Sequence, residues 1–143
     1  MYSSSQRGKG AFVALLLFFF GQPIFGQAFQ EELRLTLEKS TQENPAMLRG
    51  SRLLKLGEVY QFYAHRNFDP IWSAEGRLTE LAYEFRFELR QAQYDGLQPA
   101  TYHLALLDSY VATVEKREAA NERLVSKQLA ELDLLMTDAF FAL

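Results

Sequence analysis

The chain has 143 residues, a formal charge of −3, 48% hydrophobic and 14% aromatic residues, and no cysteine. That composition supports one packed domain and excludes a disulfide framework, a thiolate nucleophile and a cysteine-held metal. The acidic balance lacks a clustered basic stripe and argues against nucleic acid as a partner.

At the N-terminus, Arg7 and Lys9 precede an unbroken apolar run, Ala11–Phe20, followed by Gly21, Gln22 and Pro23 and then by Gly26-Gln27-Ala28. This basic, apolar and small-residue layout predicts a secretory signal peptide cleaved after Ala28. A retained anchor is the alternative, but ten apolar residues rise only about 15 Å as a helix, roughly half the hydrocarbon thickness. Extending the span to Phe25 would bury Gln22 and the helix-breaking Pro23. With no cysteine after the run, a lipid-modified cysteine anchor is excluded. Cleavage removes two of the 15 basic residues and none of the 18 acidic ones, moving the formal charge from −3 to −5.

The mature chain reads as helices. Phe29, Leu33 and Leu37 share a face and predict a helix from Phe29 to Glu43, which a break at Pro45 and Gly50 follows. A second helix is expected from Arg52 to Arg66, turning Leu53, Leu56, Tyr60 and Tyr63 inward, with Gly57 costing about 1 kcal/mol against Ala. Phe68 to Trp72 is expected to be an extended connector around Pro70. Thr79 is a good N-cap for a third helix from Glu80 to Asp95, with Leu81, Phe85, Leu89 and Ala92 inward and Gly96 as its C-cap glycine. Pro99 suits the first turn of a fourth segment reaching Lys116. The charged run from Lys116 to Arg123 reads as a solvated turn or helix end.

A last amphipathic helix spans Leu124–Leu143, with apolar residues at Leu124, Val125, Leu129, Leu132, Leu135, Met136, Ala139, Phe140 and Leu143. No glycine cap, basic last turn or proline closes it, so the chain is expected to be the front part of a longer protein. The Leu132/Met136/Phe140 stripe is expected to lack its mate. No alternating β-branched run appears, and the fold class is all-α, an irregular bundle of four to five helices after an N-terminal signal peptide.

Chemistry is sparse. His65 and His103 have no metal-ligand spacing. His65, at a helix end, reads as a surface residue, and His103, after Tyr102, as structural. Asp133 and Asp138, with Glu131, read as a solvated face, although Asp138 is placed to approach the core. No Ser or Thr stands beside an evident base, and there is no nucleophile elbow or phosphate loop. Trp72, Phe68, Tyr60, Phe62, Tyr63, Tyr94 and Tyr102 cluster at the turns. They invite a sugar-stacking role, but anchoring the helix joints is the simpler one, with Trp72 as a core plug. No cofactor or metal is called for.

Three segments in order carry a likeness: Tyr63-Ala64-His65-Arg66-Asn67-Phe68-Asp69-Pro70-Ile71-Trp72, Asp95-Gly96-Leu97-Gln98-Pro99-Ala100-Thr101-Tyr102-His103-Leu104, and Glu131-Leu132-Asp133-Leu134-Leu135-Met136-Thr137-Asp138-Ala139. Over residues 53–143 they resemble the scaffold domain of the large, YcbB-like bacterial murein L,D-transpeptidases. Gln98 departs from the Asp that the family often has there, which would weaken the corner by several tenths to about 1 kcal/mol.

The resemblance implies a division into signal peptide (1–28), N-terminal helix and linker (29–50) and scaffold-like helical domain (51–143). Its structural motif residues would be Pro70, Trp72, Gly96, Pro99, Tyr102, His103, Asp133 and Asp138. It implies export to the periplasm or cell envelope of a bacterium and an indirect relation to peptidoglycan. The partner would be the protein's own downstream domain, with a Cys nucleophile and His base that move an acyl group between stem peptides. No catalytic residue of that motif is present here, so the chain as it stands would not be the enzyme. No membrane contact is expected after signal cleavage. The alternative is an autonomous secreted helical module that binds peptidoglycan or an envelope protein.

Overall fold

The structure is a computed structural model that describes residues 24–40, 47–122 and 125–143. The basic and apolar parts of the expected signal peptide, Pro45, Arg123 and Leu124 lie outside these residues. Among the described residues there are five α-helices and two very short hairpins: α1 (Ile24–Glu38), β1 (Met47–Leu48), β2 (Ser51–Arg52), α2 (Leu56–His65), β3 (Ser73–Ala74), β4 (Arg77–Leu78), α3 (Glu80–Gln91), α4 (Leu104–Ala119) and α5 (Ser126–Ala142). The all-α class holds. No described helix is long and apolar enough to cross a membrane.

The helix α1 begins before the expected Phe29 and ends before Glu43, but its buried face is the expected one: Phe29, Leu33 and Leu37 are all but inaccessible. The expected cleavage after Ala28 would fall inside α1, immediately before the first of these core residues. Both hairpins pair antiparallel across two-residue turns, Arg49-Gly50 and Glu75-Gly76, and all four turn residues have positive φ. That is the I′ geometry whose twist matches paired strands. The strands escape periodicity because two residues cannot display a period.

The helix α2 starts four residues later than expected. Leu53 is buried in the loop before it, and within it Val59 and Tyr63 face the core while Tyr60 is exposed. After α2 the chain does not go straight into an extended connector. Asn67 (φ 53°) and Phe68 (φ 59°) are left-handed, and the Phe68 amide returns to the Tyr63 carbonyl at 2.8 Å. In α3 the Thr79 cap is present, its Oγ1 accepting from the Ala82 amide at 3.4 Å. Ala82, Phe85, Leu89 and Ala92 are buried, whereas Leu81 points outward. A 3-10 turn, Ala92–Asp95, extends α3 to Gly96 (φ 82°), whose left-handed backbone ends it. Pro99 opens a separate 3-10 turn, Pro99–Tyr102, and left-handed His103 divides it from α4.

The helix α5 is the spine. It packs against α1, α2, α4 and the Pro99–Tyr102 turn, most extensively against α1. Every residue from Leu129 to Ala139 except Glu131 is buried. The expectation of an unmated stripe is therefore corrected: Leu132 and Met136 are fully covered, and only Phe140 of that trio is exposed, at 56%. Its ring lies beside Phe85, Trp72 and Phe141.

Candidate functional site

Three polar side chains interrupt the apolar surface of α5, and all are buried: Asp133, Thr137 and Asp138. Asp133 and Thr137 are four residues apart and share a face, while Asp138 lies about 140° around the axis at 100° per residue. The helix therefore presents two separate polar clusters. The expectation of a solvated face at Asp133 and Asp138 is overturned, since both carboxylates are 0% exposed.

The first cluster binds the α2–β3 segment. Asp133 Oδ1 accepts from the Tyr63 hydroxyl (2.7 Å) and the Ile71 amide (3.0 Å), and Oδ2 from the Trp72 amide (3.2 Å) and the Ser73 hydroxyl (3.1 Å). Thr137 Oγ1 accepts the Trp72 indole N–H at 2.8 Å and shares a hydrogen bond with the Tyr63 hydroxyl at 2.7 Å. Burial pushes the Asp133 carboxyl up to about 6, outweighing the four donors that favour its charged form. Burial beside Asp133 raises Tyr63 well above the usual phenol range. Trp72 is the expected core plug, 3% exposed, its ring 5.0 Å from that of Phe85. Pro70 sets the bend, and its carbonyl accepts from Arg66 Nη2 at 3.3 Å.

The second cluster lies at the hairpin and the corner. Asp138 Oδ2 accepts from the Leu54 amide at 2.9 Å, and Oδ1 from the Lys55 amide at 2.7 Å. His103 Nε2 lies 2.7 Å from Asp138 Oδ2, and His103 Nδ1 lies 2.8 Å from Ser51 Oγ. Sequence reading set no Ser beside a base. The fold does so, across 52 residues, by folding the β1–β2 hairpin over the start of α4. Tyr102, half-buried, packs on the core next to this corner, and Gln98 provides no side-chain cap to the Pro99 turn.

Of the expected motif residues, Pro70, Trp72 and Asp133 thus meet at one cluster, and His103 and Asp138 at the other. Gly96 and Pro99 shape the corner and contribute no side-chain hydrogen bond. Tyr63, Thr137 and Ser51 complete the clusters without having been singled out as site residues. His65 is at the surface, its Nδ1 2.7 Å from the Gln61 carbonyl, as expected. Among the described residues, no group of three or more acidic or histidine side chains is placed to hold a metal.

The residues from α2 onward, which include α5 and the two motif segments that converge on it, are the part of the chain that a known family covers. The Scaffold domain family matches residues 57–143. The chain belongs to that family. The scaffold domain so defined contains both carboxylates, His103 and Trp72, and leaves α1 and the β1–β2 hairpin with Ser51 outside the match. No curated protein and no solved structure matches the chain.

Proposed function

We propose that this chain is the non-catalytic helical scaffold part of an exported peptidoglycan L,D-transpeptidase. The observation that carries the reading is the convergence of two motif segments on the third, which lies in one buried helix: Asp133 holds Tyr63, Ile71 and Trp72, and Asp138 holds His103. Those are the residue types at which the sequence resembles that enzyme group, and the scaffold-domain family spans them. In this reading the cross-linking step belongs to a separate cysteine domain, since the chain has no cysteine. The scaffold supplies a rigid body against which that domain is built, outside the cytoplasm and in contact with the cell wall only through it. Deleting the codons for residues 57–143 at the native locus tests this. Muropeptide analysis is expected to show a loss of L,D-cross-linked pairs, and unchanged cross-linking overturns the reading.

A second reading, an autonomous secreted module that binds peptidoglycan or an envelope protein, is favoured by one observation. The spine helix is already wrapped on nearly every side by this chain's own elements. Retention of the purified chain on isolated sacculi, with no change in cross-linking on deletion, would support it over the first.

A further inference from the structure

The Ser51–His103–Asp138 line is more than a tie between elements. Asp138 is fully buried and fixed by two backbone amides, His103 is 8% exposed, and Ser51 is half-buried on the hairpin. Exposure thus rises from carboxylate to imidazole to hydroxyl. The Asp138 carboxylate accepts from two amides and is placed to accept from His103 Nε2–H as well, the tautomer that leaves the Nδ1 lone pair to accept from the Ser51 hydroxyl.

Two further features converge here. His103 is left-handed (φ 62°), a strained conformation for a non-glycine residue, and is held by its two ring hydrogen bonds. It also immediately precedes α4, a helix of 16 residues whose N-terminus receives no side-chain cap. Ser51 Oγ thus meets the residue that immediately precedes α4, at 2.8 Å from its Nδ1. The amides of that first turn have no intrahelical partner, and the helix dipole there favours developing negative charge.

We propose that Ser51 is a base-activated nucleophile that takes an acyl group from a small ester. Ser51 Oγ bonds to the ester carbonyl carbon while its proton passes to His103 Nδ1. Asp138 stabilises the imidazolium through Nε2–H, and the role left to the uncapped first turn of α4 is to supply amides to the oxyanion. The tetrahedral adduct then collapses with loss of the alkoxide, which takes the proton from His103. Water repeats the sequence and frees the acid. The nitrogen roles are exchanged relative to the serine-protease triad, but the relay of hydroxyl, imidazole and buried carboxylate is the same. Ser51 and His103 are the catalytic residues, and Asp138 is a positioning residue. This reactivity is independent of the cross-linking step assigned to a cysteine domain.

The test is acetylation of the full chain by 4-nitrophenyl acetate, read by intact mass and peptide mapping. Ser51 is expected to acetylate at least ten-fold faster in the folded chain than in urea. Ser51→Ala should remove that adduct, and His103→Gln should slow its formation ten-fold or more. Asp138 lies against His103 Nε2 at 2.7 Å, and Asp138→Asn should slow the folded-chain rate ten-fold or more while leaving the rate in urea unchanged, with Asp138→Glu restoring part of it. An unlabelled Ser51, equal rates in folded and unfolded chain, or a folded His103→Gln variant with an unchanged rate overturns the proposal. If either substitution prevents folding, the folded-against-urea comparison in the wild type decides alone.

Discussion

Asp133 concentrates the energetics of the scaffold in one side chain. Four donors converge on a carboxylate that no water reaches, so removing its charge without changing its shape disturbs every one of them. Asp133→Asn turns one acceptor oxygen into a donor facing donors, and should destabilise the fold by about 2–4 kcal/mol in urea melts at pH 7. The sign of the pH effect follows from the raised carboxyl. The native state keeps a proton up to about pH 6, whereas the unfolded chain releases it near the ordinary value of 3.8. Asp133 therefore contributes stability that is present below pH 4 and lost as pH rises through 6, on the order of 3 kcal/mol for about two units. The urea midpoint of the wild type should gain on that of Asp133→Asn as pH falls from 7 to 4.5. Parallel midpoints would show that the carboxyl stays ionised throughout. A signal for this burial was present in the sequence: Asp133 is flanked by Leu132, Leu134, Leu135 and Met136, which leaves the helix no polar side. Treating isolated acids as a solvated face missed it, because periodicity weighs apolar residues and not the absence of their opposite.

At the scale of the element, helices were legible where one face is apolar and harder to orient where aromatics occupy both faces. The α1 face and the α3 cap follow from spacing and from Thr79. In α2, Tyr60 and Val59 compete for the inward position, and the smaller residue wins because Tyr63 already occupies the space above α5 with its hydroxyl satisfied. Gly57 gives the clearest single-residue test of an element. It lines an open groove of about 430 Å³ with Leu37, Leu56 and Tyr60, and a Cβ built on it meets nothing within 4 Å. Gly57→Ala should therefore stabilise the chain by about 1 kcal/mol, measured by thermal melting. Destabilisation would mean that the groove is filled in the folded protein. The corner between α3 and α4 shows the limit of reading from spacing. Gly96 and Pro99 announce it, but the left-handed His103 that splits the fourth segment depends on Ser51 and Asp138, which approach from distant parts of the chain.

For the whole molecule, the wrapping of α5 decides how the chain behaves in isolation. The stripe expected to be bare is covered, so the chain from residue 29 onward should run as a monomer on size exclusion, with a structured near-UV signal from its single tryptophan. Aggregation would instead point to the exposed Phe140 and Leu143 as surfaces that need a cover. Fold class and the order of helices were readable from composition and turn residues. The two polar clusters were not, because each joins α5 to residues some 35 to 84 positions away in sequence. That same remoteness governs the order in which the fold can form. The helix α5 comes last of the five in chain order, yet α1 and α2 bury their faces mainly against it, and the loops at Leu54 and Trp72 find their acceptors only on its two aspartates. Until α5 arrives, α1 and α2 are short amphipathic segments without the surface they close on, and such helices are marginal in water. Folding therefore waits for the end of the spine, so the first hundred or so residues can be threaded through a narrow channel without first having to be pulled apart.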